Sequence, residues 1–236
     1  SRHLGLTLMV KRKMEALIDE VADMVQAHVD VDKLLEITST PFAMPLECVK
    51  RTDRRMRIAV AYDAAFNFVY RENIDRLKEW GEVSFFTPLK DKHLPEADWV
   101  YLPGGYPELF ATRLQKNKQL MEELKLYAES GGKIFAECGG MMFLTQSIVT
   151  DKGKEYPMCG VLPFKSTMKG ARLHLGYRSM EMHGENWKGH EFHYSELENP
   201  GDLPSIAKLR SAKGKEVDTP VYRYKNVIAG YTHWYW

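Results

Sequence analysis

The chain has 236 residues, 44% of them hydrophobic and 11% aromatic, which suits one or two packed domains and excludes general disorder. Lys plus Arg number 33 against 32 Asp plus Glu, and the net charge of +1 excludes a polybasic nucleic-acid binder or an acidic tail as a description of the whole. No apolar run approaches the roughly 20 residues of a membrane helix, and three scattered cysteines, Cys48, Cys138 and Cys159, are too few for a disulfide framework or a Cys-rich zinc site, so a reduced, cytoplasmic setting is expected.

Ser1-Arg2-His3 carries no initiator Met and no signal-peptide pattern, so the chain reads as starting partway into something larger. Residues 4–10 form an apolar run of strand length. Met14, Leu17, Ile18, Val21, Met24 and Val25 then recur at steps of three and four, which predicts a helix over 13–27. Asp30-Val31-Asp32 is an N-cap region for a second short helix through Leu34, Leu35 and Ile37. Two prolines, Pro41 and Pro45, and the charged stretch 50–55 mark a linker, with a boundary near residue 53.

Beyond it the pattern changes. A continuous β-rich run at 57–61 predicts a strand buried on both faces. A helix follows over 67–80, with Gly81 as its C-terminal cap. Strands are predicted at 83–86, 99–102 and 133–136, with a helix over 116–130 stopped by Gly131-Gly132. Strands alternating with helices imply βαβ units and a parallel sheet. Residues 173–182, 191–195, 206–210 and 227–232 read as further strands, expected in a mixed sheet wrapped on the same core.

The chemistry concentrates at Ala136-Glu137-Cys138-Gly139-Gly140-Met141. A buried strand ends, a cysteine occupies the turn, glycines follow and a helix begins: the layout of a nucleophile elbow with sulfur in place of a serine hydroxyl. The helix N-terminus is expected to favour thiolate, and the Gly139 N–H, with no helical partner, to stabilise an oxyanion. Leu102-Pro103-Gly104-Gly105 ends a neighbouring strand and offers further N–H donors at the edge where ligands bind in open α/β sheets. A cysteine nucleophile needs a base. The candidate is His233, after the strand at 227–229; the rival is His193, which shares a strand face with Glu191, so that these two could form a supporting ordered pair. Read alone, Cys138 would be a buried structural cysteine and Gly104-Gly105 a tight turn; Cys48 and Cys159 lack any such context. No histidine falls at ligand spacing with cysteines or carboxylates, so no metal site is expected.

Five pieces then agree in order and spacing: Leu-Pro-Gly-Gly-Tyr-Pro-Glu at 102–108, Ala-Glu-Cys-Gly-Gly-Met at 136–141, Leu-Gly-Tyr-Arg at 175–178, Gly-His-Glu-Phe-His-Tyr-Ser at 189–195 and Tyr-Thr-His at 231–233. Together they resemble the cysteine glutamine amidotransferase domain of the cobyrinic acid a,c-diamide synthase and cobyric acid synthase family, with forms closer to the a,c-diamide branch. The first 50 residues resemble the tail of that family's ATP-dependent synthetase domain.

The resemblance implies an α/β fold of the class I glutamine amidotransferase type, a mostly parallel central sheet flanked by helices, over 53–236, with residues 1–52 as synthetase tail plus linker. It implies Cys138 as glutaminase nucleophile and His233 as base, with Gly139 and Gly104 or Gly105 at the oxyanion positions. It implies a cytoplasmic amidoligase that draws ammonia from glutamine and amidates the a and c carboxylates of a corrinoid. ATP and Mg²⁺ would act in a preceding synthetase domain. No stretch here reads G-x-x-x-x-G-K-[ST], so this chain should not hydrolyse ATP alone. No nucleic-acid or membrane partner is expected, and a homodimer is compatible with the sequence. A nickel-sirohydrochlorin a,c-diamide synthase looks nearly identical in this domain, and a cobyric acid enzyme is a further alternative; from other classes, a docking module inactive without its synthetase is carried as an alternative, as is a stand-alone cysteine hydrolase, against which the synthetase-like first 50 residues argue. One departure stands out. The wider class I pattern has a Glu two residues after the histidine; here that position is Tyr235, and the sequence names no other group to orient His233.

Overall fold

The structure, a computed structural model, describes residues 11–40, 56–182, 184–201 and 203–236. The strand expected at 4–10, Cys48 and most of the linker lie outside these residues. The chain divides into two compact units, 1–50 and 51–236.

Among the described residues the first unit holds two helices, α1 (Lys11–His28) and α2 (Val31–Thr38). Asp30 caps α2 by accepting from the Lys33 N–H at 2.9 Å, as its position before the apolar repeat requires. The apolar stripe predicted for α1 is present, and Leu17, Ile18, Val21, Met24 and Val25 are all exposed.

The second unit is built on a six-stranded sheet. Its strands are β1 (Met56–Ala61), β2 (Gly81–Phe86), β3 (Trp99–Leu102), β4 (Lys133–Glu137), β13 (Val221–Tyr224) and β14 (Val227–Gly230), in the spatial order β13-β14-β4-β3-β1-β2. Every pairing is parallel except β13 with β14. Helices α3 (Arg71–Trp80), α4 (Pro107–Leu114), α5 (Lys118–Glu129) and α6 (Gly139–Leu144) connect or follow these strands.

Side chains leave alternate faces of each strand. Ala59, Ala61, Val100, Leu102, Ile134 and Ala136 enter one apolar cluster; Ile58, Val60, Tyr101 and Phe135 enter a second, with Trp234. Burial on both faces is why these segments read as continuous apolar runs.

Three sequence expectations need correcting. The helix before β2 starts at Arg71 rather than 67, because residues 62–70 form a turn with a bridge between Asp63 and Phe66. Gly81 is no left-handed cap: its φ is −168°, it opens β2 directly, and a Cβ there would lie 2.0 Å from the Met56 carbonyl oxygen, so close strand approach explains the glycine. The C-terminal half is not one mixed sheet. Strands β5 (Ser147–Val149), β6 (Glu155–Pro157), β7 (Lys165–Thr167) and β10 (Glu196–Glu198) form one small sheet. Strands β8 (His174–Met182), β9 (Glu185–His193), β11 (Leu209–Ser211), β12 (Glu216–Val217) and β15 (His233–Tyr235) form another, while β13 and β14 join the central sheet. Among the described residues no helix is long and apolar enough to cross a membrane.

Candidate active site

Three loops meet at the carboxyl edge of the central sheet. β4 pairs with β3 on one side and β14 on the other, so the segments after Leu102, Glu137 and Gly230 leave side by side. The Cys138 N–H donates to the Gly230 carbonyl at 2.7 Å and fixes the turn to β14.

Cys138 occupies that turn at φ 44° and ψ −103°. A non-glycine residue held there costs about 1–3 kcal/mol and persists only where its surroundings impose it, commonly at functional sites. α6 begins at once with Gly139, whose hypothetical Cβ would stand 2.9 Å from the Gly105 nitrogen and 2.8 Å from Pro107 Cδ. Only glycine lets the two loops close so far, and it brings the backbone of Gly139 beside that of Gly105.

His233 approaches from β14 through Tyr231 and Thr232. A Cβ on Gly104 would meet its Cε1 at 2.2 Å, so Gly104 makes room for the imidazole. The ring lies against Phe68, with centroids 4.4 Å apart, and is stacked on His190 at 5.0 Å and 22°. Burial lowers the pKa of His190, which keeps that neighbour neutral. The His190 Nδ1 is hydrogen-bonded to the Tyr70 hydroxyl at 2.7 Å. The strand β15 that carries His233 pairs with β9, His233 opposite His190, and is tied to α3 by the Asn73 amide, which donates to the Trp234 carbonyl at 2.7 Å and accepts from the Trp236 N–H.

A carboxylate that the sequence left unassigned stands beside this histidine. Glu137, 2% exposed, points to the cluster of Tyr101 and Trp234. Its Oε2 accepts from the Tyr101 hydroxyl at 2.8 Å, its Oε1 accepts from the Trp234 N–H at 3.0 Å, and Oε2 lies 3.9 Å from His233 Nδ1. Burial pushes Glu137 up to about 8, against the pull of those two donors.

The surroundings of Cys138 work against the thiolate that the sequence leads one to expect. Cys138 is 6% exposed, and burial, followed by the charge of Glu108, raises its thiol well above the ordinary range. Glu137 and Glu191 push the same way, and the hydrogen bond from the Gly139 N–H does not outweigh them. With burial opposing the thiolate, activation of Cys138 calls for a proton acceptor.

Glu191 and His193 do share a face, as their spacing predicts, but they build a separate cluster. Glu191 Oε1 faces His193 Nε2 at 2.7 Å; its Oε2 accepts from Arg178 Nε at 2.6 Å and from the Thr219 hydroxyl at 2.8 Å. Burial opposes the charge of Glu191, yet His193 and Thr219, with Arg178, hold it down at about 2. The other nitrogen of His193 faces the Ser195 carbonyl at 2.8 Å, and the ring stacks on Tyr231 at 3.6 Å. Both ring nitrogens of His193 are thus engaged within this cluster.

Cross-strand pairing of His174 with His193 also brings the donor atoms of His174, Glu191 and His193 within 4.8 Å of one another, a cluster of metal-ligand type that linear spacing hid. His174 Nε2 is engaged by Glu196 at 2.7 Å, and Arg178 sits on Glu191, so this set is an ion-pair network with a cation already in place. Cys159 is buried in the apolar core, where burial raises its thiol pKa.

Comparison with known proteins identifies the family. A family model described as the CobB/CobQ-like glutamine amidotransferase domain matches residues 57–236. The chain is 38% identical to the cobyrinate a,c-diamide synthase of Picrophilus torridus, over 99% of this chain and 53% of that protein. It is 39% identical to the synthase of the same name from Archaeoglobus fulgidus, over 98% and 53%. It is 34% identical to a hydrogenobyrinate a,c-diamide synthase of Pseudomonas aeruginosa, over 100% and 54%. The chain thus spans about half the length of the curated relatives it matches. Among solved structures, a GMP synthase component from Thermoplasma acidophilum superposes with a TM-score of 0.50 at 17% identity, covering 77% of this chain and 85% of that one. A glutamine amidotransferase superposes with a TM-score of 0.50 at 19% identity, covering 75% and 89%. These two share the fold. Since the family model takes in nearly all of the second unit, the chain belongs to the CobB/CobQ-like glutamine amidotransferase domain family.

Proposed function

We propose that this chain is the glutaminase part of an ATP-dependent cobyrinate a,c-diamide synthase, with Cys138 as nucleophile and His233 as its base. One observation carries the reading: a cysteine in a strained turn at the end of a central parallel strand, with a histidine from the neighbouring strand's exit loop packed beside the residue before it. The relatives' names support the ring substrate.

The reaction follows from the parts. Glutamine enters at the sheet edge, where the carboxylate of Glu108, whose charge reaches the sulfur, complements its ammonium group. The thiol proton passes from Sγ to His233 as sulfur attacks the side-chain amide carbon. The oxyanion is received by the backbone N–H groups of Gly139 and Gly105, each of the kind worth about 2.7–4 kcal/mol to the barrier. His233 returns the proton to the departing ammonia, leaving a γ-glutamyl thioester. Water, deprotonated by His233, hydrolyses it to glutamate and free thiol. Ammonia then passes to the synthetase portion, to which we assign ATP and Mg²⁺; this chain carries no phosphate-binding loop motif, and no step here runs through them.

A glutamine-analogue electrophile tests the assignment. A diazo-ketone analogue should label Cys138 stoichiometrically and leave Cys159 untouched, and Cys138→Ser should abolish both labelling and glutamine hydrolysis. Retention of hydrolysis in that variant would overturn the reading.

A further inference from the structure

Glu137 is a costly residue to place where it stands. It ends an apolar strand, faces an aromatic cluster and is withdrawn from water, an environment that penalises a charged carboxylate. Glutamine would fill nearly the same space, although with a single acceptor oxygen it could keep only one of the hydrogen bonds that the two carboxylate oxygens accept from Tyr101 and Trp234. What glutamine could not do is balance a positive charge, and 3.9 Å from Glu137 Oε2 lies the ring nitrogen of the residue that must become positive. The N–H of Trp234, immediately after His233, is bound by the other oxygen, so one carboxyl group grips both the backbone and the ring side of the same dipeptide.

We propose that Glu137 is the positioning residue for His233: it orients the imidazole through Nδ1 and stabilises the imidazolium formed when Cys138 gives up its proton. This rests on the glutaminase reading and supplies the orienting group that Tyr235 cannot provide. In the step itself the S–H bond of Cys138 breaks and an N–H bond forms on the imidazole. The charges created are a thiolate and an imidazolium, and the carboxylate offsets the second. The gap of 3.9 Å exceeds a hydrogen bond, and such contacts are often long before substrate binds and shorten in the reacting complex.

The groups facing Glu137 set its pH behaviour. From β3 comes the Tyr101 hydroxyl, from β15 the Trp234 N–H and His233; Cys138 follows it on the chain, and the phenol of Tyr70 feels its charge. Burial holds Glu137 at about 8, so its carboxylate form, the one that supports an imidazolium, gains population as pH rises from 6 to 9. In the free enzyme this appears as a rise of glutaminase kcat/KM across that interval.

The experiment uses the complete protein and compares Glu137→Gln, Glu137→Asp and Tyr101→Phe, with Cys138→Ser and His233→Asn as references. Glu137→Gln should lower glutaminase kcat by about 100-fold with KM changed by no more than about threefold, and should abolish the rise toward pH 9. Glu137→Asp should recover part of the loss and restore a rise with pH. Tyr101→Phe, which removes one donor from the carboxylate without altering the aromatic packing, should move the rise to higher pH. Wild-type kcat and an unchanged pH profile in Glu137→Gln, with both reference variants inactive, would overturn the inference and leave the glutaminase reading intact. If Glu137→Gln fails to fold, an unshifted profile in Tyr101→Phe overturns it just as well. Activity in Cys138→Ser would instead remove the reading beneath it.

Discussion

At the scale of single residues, the site depends on backbone approaches that only missing side chains permit. Gly104 is the clearest case, because the atoms a methyl would strike belong to the imidazole proposed as the base: 2.2 Å to Cε1 and 2.8 Å to Nδ1 of His233. The ring cannot retreat freely, since Phe68 and His190 pack against it. Gly104→Ala should therefore push His233 off its seat rather than break the fold. A displacement near 1 Å in a reacting group can lower a rate by about 100-fold. The expected result is a kcat reduced by roughly that factor with thermal unfolding little changed, read by glutamate release beside calorimetry. Gly104 was picked from the sequence as an oxyanion donor. The structure shows a different reason for glycine at this position, room for the imidazole, which spacing along the chain does not reveal.

At the scale of elements, the long antiparallel pair β8–β9 is held against the edge of the site by a charge network. Glu191 on β9 is bound by Arg178 of β8, by His193 of its own strand and by Thr219, and all of these groups except Thr219 carry or can carry charge in a site closed to water. Such a pairing strongly disfavours loss of one partner, by about 3–5 kcal/mol. Glu191→Gln should thus lower Tm by roughly 6–20 °C at pH 7. The pH dependence has a definite sign. The folded-state pKa of Glu191 is about 2, below its ordinary 4.5, so the unfolded chain binds the proton more readily. The stabilisation is complete above about pH 4.5 and is lost as pH falls toward 2. Between pH 5 and 3 the wild-type Tm should fall more steeply than that of Glu191→Gln; parallel curves would refute the assignment. Glu137 has the opposite sign, since its raised pKa makes the folded state the stronger proton binder between 4.5 and about 8.

At the scale of the whole molecule, what could be read from the sequence was what burial writes into it. The strands β1, β3 and β4 are covered on both faces, so they appear as unbroken apolar runs, and the Cys138 turn follows from a strand ending at a cysteine and two glycines. Other parts left weaker marks. Strands β5, β6, β7 and β10 are three residues each, too short to show a period. α4 carried a usable signal, Pro107 at its first position and Glu108 in its first turn, that went unused. Glu137 also had one: a charge at the end of an apolar strand, on the same side as Phe135. Its partner, however, arrives from the far end of the chain, and no local pattern announces that. The function proposed for this chain separates two jobs, release of ammonia here and its use elsewhere in a longer protein, and that separation can be measured. If this chain only supplies ammonia, Cys138→Ser should abolish amidation of the corrinoid with glutamine as donor and spare amidation with ammonium chloride. The second rate should stay within about twofold of wild type and rise with pH as free ammonia replaces ammonium. Its KM for ATP should be unchanged. Equal loss with both donors would mean that Cys138 shapes the synthetase reaction itself, and the division of labour proposed for the two halves would fail.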